Sequence, residues 1–345
     1  MNPLNRERKV LVMAQQLGLE WQNNPVQQII GLCNAKIQAW LSEHSDIQTI
    51  SDLERLVCTK LKLVIEEIWS DSDLARVMTK YVTWGDNVFA SLESEFDDAT
   101  YATLIERRSA HKRDSCKYVA VIDCRGGKAA RRFFTRWHEI AHLLTLYRQM
   151  ELPLHRSTSK RDALERLMDE IAGEIAFYGP LFTPALCARL GAGGHLTLGA
   201  VEDVRNRFCP EASFQSTLIA CVARNDQPTL YIEAKIGYKK HEAEALNSRQ
   251  LSFIDIKPEP KLRAVVVGSN DAARRSGLKV HKNMAIPASS IIAKLYGSDN
   301  QANASGEESL SIWRHSDGSA IGFHQVRIEA VRVKDRVLAL ITLAN

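Results

Sequence analysis

The sequence predicts an α+β protein, in which helical and strand-rich segments occupy separate stretches of the chain. Two observations carry this prediction. Apolar residues at steps of three and four dominate residues 5–60 and 130–224, whereas alternating or β-branched runs dominate the stretch after Asn225. Runs of helices followed by runs of strands are typical of α+β folds. The 345 residues have room for about two domains, and the change in pattern places a boundary near residue 226.

The bulk composition excludes several classes of protein. Hydrophobic residues make up 45% of the chain and charged residues 25%, as in folded globular proteins. The net charge of +4 gives only weak support for a nucleic-acid partner. No apolar run approaches the roughly 18 residues of a membrane span, and the N-terminus lacks the apolar core of a signal peptide. The 7 cysteines are odd in number and form no CxxC pair, which favours free thiols in a reducing cytoplasm.

In the first half of the chain, short strands precede two strongly amphipathic helices. Residues 5–60 follow a helical pattern. Tyr101–Arg108 and Tyr118–Asp123 are short β-branched or aromatic runs, which a polar segment joins into a predicted hairpin. Arg132–Leu146 and Ala163–Phe177 each carry one apolar stripe, so each is predicted to be a helix that packs against a core.

In the second half, two short helices precede a series of strands. The helices 198–208 and 213–224 are separated by a four-residue turn, and such a helix-turn-helix unit suits DNA-binding modules. The alternative is an inert helical buttress between domains. We expect the segment 297–308 to be a polar loop. The candidate DNA contacts are Arg205, Arg207, Gln215 and Arg224, and the predicted strands are 230–236, 251–256, 263–267, 310–314, 326–333 and 337–343.

The chemistry of the chain lies in the motif HEIAH, residues 138–142. On a helix, residues four apart share one face, so His138 and His142 can bind one metal ion together. Glu139 lies one step round the helix, where it can act as the general base toward a water on that metal. The alternative is a pair of histidines on a helix that faces the core. The apolar residues around the motif favour the metal site, because a catalytic zinc needs a dry, shaped cavity.

A catalytic zinc ion normally takes three protein ligands and keeps one position open. Glu165 is the predicted third ligand, because it lies beside the apolar stripe of the second helix. Asp169, one turn further on, can accept the remaining N–H of a ligand histidine and fix its tautomer. His155 is the competing third ligand, and Glu170 and Glu174 are expected to point further toward solvent. A salt-bridged helix surface with Arg161 and Arg166 is the alternative for this whole acidic group.

Two cysteines near the predicted strand 118–123 suggest a form of control. A thiolate from Cys124, or alternatively from Cys116, could fill the open zinc position and hold the enzyme latent, since thiolate is a strong zinc ligand. The alternative is that both are small buried hydrophobic residues. We also predict that strand 118–123 forms the cleft edge to which a substrate adds as an extra strand. Tyr147, His155 and His111 are the candidate hydrogen-bond donors to an oxyanion.

The string FFTRWHEIAHLL, residues 133–144, resembles the core of the ImmA/IrrE family of metallopeptidases. The second helix, from Glu165 to Ile175, resembles that family's glutamate-bearing helix, although Met168 and Asp169 replace its usual Cys-Asn or Ala-Asn pair. The resemblance implies a zincin-like metallopeptidase domain over 1–190 and a helix-turn-helix-like segment over 191–226. It implies a small α+β domain, similar to GAF or PAS sensor domains, over 227–345.

The same resemblance implies a regulated, cytoplasmic zinc endopeptidase that cleaves a helix-turn-helix transcriptional repressor. Such cleavage derepresses stress, mobile-element or defence genes, including antiviral defence. A DNA ligand on the C-terminal domain would link DNA damage to proteolysis, and the segment 233–282 holds eleven Lys and Arg against six Asp and Glu. The alternatives are a DNA-binding transcriptional regulator with a vestigial peptidase domain and a housekeeping peptidase. Zinc is expected, with manganese left open.

Overall fold

The structure is a computed structural model, and its described part is α+β, as the sequence predicts. It forms two compact units, Met1–Thr183 with Phe208–Ser213 and Pro184–Arg207 with Phe214–Asn345. The functional division into three domains stays a prediction. The described residues are 3–19, 24–44, 46–108, 116–146, 152–157, 162–191, 194–239, 242–243, 259–315 and 317–344, without the side chains of His155 and Ser157.

A four-stranded sheet organises the first unit. Its strands are β1 (Leu63–Ile68), β2 (Thr100–Glu106), β3 (Tyr118–Asp123) and β4 (Leu154–Ser157). Their spatial order is β1-β3-β2-β4, with β1 parallel to β3 and the other neighbours antiparallel. The antiparallel pairing of β2 with β3 confirms the predicted hairpin partners.

The position of β3 corrects one prediction about the site. Strand 118–123 was expected at the edge of the cleft, but β3 lies between β1 and β2 and pairs with both. Its backbone groups are therefore used within the sheet and cannot pair with an added strand. On the described strands, β4 is the edge beside β2. The four residues of β4 form no alternating run long enough to be recognised in the sequence.

Helices pack on both faces of this sheet. Val119 and Val121 of β3 pack in one cluster with Leu74 and Val77, whereas the alternate residue Ile122 belongs to a separate cluster. The helix that carries the HEIAH motif packs against β2 and β3. The helices of this unit are α1 (Arg8–Gln16), α2 (Pro25–Leu41), α3 (Ile50–Leu61), α4 (Asp71–Thr83), α5 (Leu92–Glu95), α6 (Arg132–Leu144) and α7 (Ala163–Ile175), and α8 (Gly179–Cys187) follows.

The second unit is built on a five-stranded antiparallel sheet in the order β6-β5-β9-β8-β7. Leu230 and Ile232 of β5 pack in the main apolar core, whereas Glu233, which faces the other way, accepts a hydrogen bond from Gln215. The elements are α9 (Leu198–Phe208), α10 (Phe214–Arg224), β5 (Thr229–Gly237), β6 (Lys261–Ser269), α11 (Asp271–Arg275), α12 (Ile291–Tyr296), β7 (Asn303–Ser309), β8 (Gln325–Val333) and β9 (Arg336–Leu343).

Two predictions about this unit are wrong. The segment 297–308 was expected to be a loop, but Asn303–Ser309 is the edge strand β7, whose pairing with β8 its polar sequence does not reveal. The predicted strand 310–314 begins as a 3₁₀ helix, Leu310–Ile312. The predicted strand 251–256 lies outside the described residues. Within the described parts of the chain, no helix has the length and apolar content to cross a membrane.

Candidate metal centre

The helix that carries the motif is buried on all sides. Eleven of the thirteen residues of α6 are buried, including His138, Glu139 and His142. Trp137, Ile140 and Leu144 provide the apolar contacts and are fully enclosed. Thr135, Arg136, His138, Glu139 and His142 are thus buried although they are polar or charged. The burial of its polar residues therefore costs free energy unless they bind something.

Charged partners hold α6 in place at both ends of the motif. Arg136, beside His138, forms ion pairs with Glu54 at 2.9 Å and with Glu67 at 2.8 Å. It also pairs with Glu211. At the other end, the Lys36 ammonium of α2 donates to the Leu144 carbonyl at 2.6 Å, where a helix end carries unpaired acceptors. These contacts fix the position of the two histidines relative to the sheet and to α2.

The two histidines and Glu165 form one tight group of ligand atoms. His138 Nε2 lies 3.2 Å from His142 Nε2 and 3.1 Å from Glu165 Oε2. His142 Nε2 lies 3.4 Å from Glu165 Oε1. Across the part of the chain that the structure describes, this is the one group of three or more His, Cys, Asp or Glu whose donor atoms lie within 4.8 Å of one another. The structure thus places all three predicted ligands together.

Asp169 occupies the position that the sequence predicts for it. Its Oδ1 accepts a hydrogen bond of 2.9 Å from His138 Nδ1. With Nδ1 donating to Asp169, Nε2 is the nitrogen of His138 that faces the ligand group, and it can bind a metal when it carries no proton. Glu165 and Asp169 are one turn apart on α7, so one helix supplies both the third ligand and the group that orients the first.

Glu139 is a buried carboxyl beside this group. The residue is 0% exposed, and neither carboxylate oxygen has a hydrogen-bond partner among the described residues. Burial raises the pKa of Glu139 to about 7, and the charge of His142 opposes this rise. An unpaired buried carboxyl is costly in a folded protein and marks a functional site more often than a structural one.

The donor set fits a zinc ion. Two imidazole nitrogens and one carboxylate oxygen are a combination that catalytic zinc sites use. Burial opposes ionisation of Glu165, but hydrogen bonds from His138 and His142 outweigh it and lower the pKa of its carboxyl. Glu165 is therefore ionised near neutral pH, as a metal ligand must be. Three lone-pair donors that converge in a buried place are stabilised by a cation between them.

Arg156 of β4 is a site residue that the sequence did not reveal. Its Nη2 donates to Asp169 at 3.3 Å, while its Nη1 is buried without a hydrogen-bond partner in the described residues. Its side chain is 14% exposed and stacks over the Phe134 ring at 5.2 Å. Burial lowers the pKa of Arg156, and the charges of Asp169, Glu139 and Glu165 oppose this. Only the folding of β4 beside α6 and α7 brings this cation to the acidic group.

The two cysteines of the predicted switch lie in different surroundings. Cys124 is 2% exposed and packs with Ala102 and Ile122. Burial raises the pKa of its thiol to about 12, so the thiol is protonated near neutral pH in this arrangement. Cys116 donates from its thiol to the Tyr118 carbonyl at 2.8 Å. Neither sulfur belongs to the group of close ligand atoms, and the inhibitory role of Cys124 or Cys116 stays a prediction.

The remaining sequence candidates fall outside this group or outside the described residues. Glu170 is exposed, Glu174 is half-buried, and neither joins the three ligands. Tyr147 and His111 lie outside the described residues, as does the side chain of His155. These three therefore stay open as hydrogen-bond donors, and His155 stays open as a ligand.

The candidate DNA contacts are partly occupied within the protein. Gln215 donates to Glu233 at 2.8 Å and to the Tyr231 hydroxyl at 3.2 Å, so its amide faces the sheet. Arg205 forms an ion pair with Glu202 at 2.7 Å on the same helix. Both partners of Gln215 are buried strand residues, so its amide is used within the protein, and the role of Gln215 as a DNA contact stays a prediction.

Comparisons with known proteins add no family assignment. A scan against protein-family models finds no match to this chain, and a search of curated proteins finds none either.

Loss of the Asp169 carboxylate is expected to weaken metal binding. In Asp169→Ala, His138 Nδ1 loses its acceptor and the ring is free to turn away. We expect the zinc affinity to fall roughly 10- to 100-fold, as it does when a ligand histidine loses such a partner. The measurement is competition with a chromophoric zinc chelator. Glu170→Ala, at the next position of α7, is the matched control, and equal affinities for the two variants would contradict the role of Asp169.

Proposed function

We propose that this chain is a zinc-dependent metallopeptidase with a zincin-like catalytic domain of the ImmA/IrrE type. The observation that carries the proposal is the convergence of His138, His142 and Glu165 beside the buried carboxyl of Glu139, which has no hydrogen-bond partner among the described residues. His138, His142 and Glu165 supply atoms that bind a metal, and Glu139 supplies a carboxylate that can act as a base. The sequence resemblance of residues 133–144 and of the Glu165 helix supports the same class.

The protein groups around the ligands have distinct tasks. A bound zinc ion supplies Lewis acidity, which activates water and polarises a peptide carbonyl. Glu139 accepts a proton from the attacking water and passes it to the leaving amine, and a pKa of about 7 suits both transfers. Asp169 holds His138 in the tautomer that binds metal. The surrounding apolar residues exclude bulk water, which strengthens every charge interaction in the site.

Arg156 is the proposed donor to the oxygen on which negative charge develops. Its Nη1 is buried without a hydrogen-bond partner in the described part of the chain, and the charges of Glu139 and Glu165 act on its guanidinium. A preorganised cation of this kind stabilises the transition state more than the ground state. The edge strand β4 that carries it also offers backbone groups to an extended peptide. One strand can therefore position a substrate and stabilise its reacting carbonyl.

Arg156→Gln is expected to lower kcat about 10²-fold, since one lost oxyanion donor costs roughly that much. Zinc content should stay near that of the wild type, because Arg156 is not among the ligands. The measurement is the cleavage rate of a protein substrate, with zinc determined in the same preparation. Arg166→Gln, an exposed residue of α7 that pairs with Glu7, is the control. An unchanged kcat for Arg156→Gln would contradict the role.

The proposed substrate is a cytoplasmic transcriptional repressor of the helix-turn-helix class. Its cleavage would derepress stress, mobile-element or defence genes. The resemblance supplies this substrate class, and the separate second unit is consistent with control of the peptidase by a ligand. Within the second unit, we propose that α9 and α10 form a helix-turn-helix-like segment and that the sheet belongs to a GAF- or PAS-like domain. The test is co-expression with each repressor encoded near the gene, using the wild type and Glu139→Gln. Cleavage by both, or by neither under any inducing condition, would refute the peptidase.

A DNA-binding regulator with a vestigial peptidase is the second candidate. The helix pair α9 and α10 favours it. The internal hydrogen bonds of Gln215 and the ion pair of Arg205 weaken it, because they occupy two of the expected DNA contacts. An intact ligand group with its general base has no task in a vestigial domain, so the enzyme is the better proposal.

A further inference from the structure

A cationic cavity lies at one edge of the sheet in the second unit. Its volume is about 900 Å³. It opens between the edge strand β6, the segment 281–287 and the residues that follow Leu310–Ile312. Backbone hydrogen bonds between Ala264 and both Met284 and Asn283 fix the 281–287 segment against β6. Small-molecule sites commonly enclose about 300–1,000 Å³, so the cavity has the size of a ligand site.

The charges around this cavity are not balanced among the described residues. Lys239, Lys261, Lys282 and Arg314 line it, and no ion pair joins any of these four side chains to a described carboxylate. Glu242 is the acidic residue in the lining, and it already lies 3.5 Å from the buried Arg263. Four cations that have no ion pair among the described residues surround one concave surface, and their positive potential attracts a multiply charged anion.

The inner surface of the cavity is apolar and carries aromatic groups. Met284 and Ile286 are buried and Ile312 is half-buried, so the floor can contact a flat ring. The ring centroids of His281 and His315 lie 5.1 Å apart at the same cavity, and the rings are tilted by 52°, so a flat ring can stack on either imidazole. A ligand that satisfies both surfaces needs an apolar ring and a group with several negative charges.

Arg263 places a rigidly held positive charge beneath the cavity. The residue is 2% exposed, and its guanidinium donates to the Gly237 and Asn283 carbonyls at 3.1 Å each. Its charge is therefore held beneath the cavity by strand β5 and by the 281–287 segment. The exposed Lys282 and Arg314 lie at the rim and are free to contact a ligand.

We infer that this cavity binds a nucleotide, with the phosphates on Lys282 and Arg314 and the base on the apolar floor. Lysine and arginine are the usual partners of phosphate oxygens. The nucleotide can be free or can be the phosphorylated end of a DNA fragment, since both present the same chemistry. This site would give the second unit a small-molecule input. The inference does not depend on peptidase activity, because ligand binding is measured directly.

The test is calorimetric titration of the full chain with ATP, adenosine and a short 5′-phosphorylated oligodeoxynucleotide. We expect ATP to bind at least about tenfold more tightly than adenosine, and the binding to weaken as salt is added. Lys282→Glu and Arg314→Glu should each weaken ATP binding about tenfold or more, because each replaces an attraction with a repulsion. Lys334→Glu, an exposed cation in the turn between β8 and β9, is the matched control and should leave binding unchanged.

Each outcome of these titrations either supports or overturns nucleotide binding at this cavity. ATP binding that the oligonucleotide displaces would support the site and identify a DNA end as a possible source of the ligand. ATP binding without competition would support the site with a free nucleotide as its ligand. Equal affinity for ATP and adenosine, wild-type affinity in both rim variants that retain the wild-type Tm, or no binding of ATP would overturn the inference. Oligonucleotide binding without ATP binding would also overturn it, since the contact would then lie on an open surface.

Discussion

Glu139→Gln is expected to reduce the cleavage rate about 10³-fold while the protein keeps its zinc. The change removes the general base but leaves His138, His142 and Glu165 in place, and loss of such a group typically costs 10²- to 10⁴-fold. Glutamine is almost the same size as glutamate, and the carboxyl of Glu139 has no hydrogen-bond partner among the described residues. The fold is therefore not expected to lose any contact. The measurement is the single-turnover cleavage rate beside the zinc content of the same sample.

The stability of this variant provides an independent check of the same assignment. A carboxyl that burial makes hard to ionise destabilises the folded chain, so Glu139→Gln should keep or slightly raise the Tm of the metal-free protein. Glu170→Gln, the same substitution at an exposed glutamate of α7, controls for nonspecific loss of activity. If Glu139→Gln cleaves at the wild-type rate, Glu139 is not the base and the proposed reaction is wrong.

Glu165→Gln is expected to abolish tight zinc binding. The change removes the negative charge of the carboxylate, whose oxygens lie 3.1 Å from His138 Nε2 and 3.4 Å from His142 Nε2. The loss of affinity should exceed the roughly 10- to 100-fold cost of removing a partner that only orients a ligand. Since zinc binds the folded state, wild-type Tm should rise with zinc concentration, and this rise should disappear in the variant. Chelator competition and thermal unfolding with and without zinc measure both effects.

Glu170→Gln is the matched control for Glu165→Gln, because Glu170 is an exposed glutamate of the same helix. It should retain the zinc affinity and the zinc-dependent Tm of the wild type. The opposite pattern, in which Glu170→Gln loses zinc and Glu165→Gln keeps it, would show that Glu165 is not the third ligand. Loss of zinc by neither variant would favour His155, the competing ligand.

In these proposals the first unit carries the peptidase centre and the second unit carries a nucleotide-binding site. The peptidase proposal rests on buried groups of α6 and α7, and the nucleotide proposal rests on a cavity of the second sheet. A repressor-cleaving enzyme needs control, because unregulated cleavage would leave its target genes permanently active. Nucleotide binding to the second unit would be linked to proteolysis only if ATP alters the cleavage rate of the wild type but not of Lys282→Glu.

The sequence by itself determined the local chemistry. The separation of four residues between His138 and His142 places both on one face of a helix whatever surrounds it, and Glu139 follows by the same geometry. The amphipathic pattern of α7 placed Glu165 and Asp169 one turn apart beside its apolar stripe. The pairing of β2 with β3 was also predictable, because both strands are short β-rich runs separated by one polar segment.

Only the tertiary structure decided what lies opposite these residues. The alternation within a strand does not report its neighbours, so β3 was wrongly expected at the edge and the four-residue β4 was missed. Arg156 reaches the site because β4 packs beside α6 and α7, and no local signal in the sequence marks that arrangement. The cavity of the second unit likewise joins residues from 239 to 315. Periodicity identifies the face of a helix or strand, whereas long-range packing selects the residues that meet there.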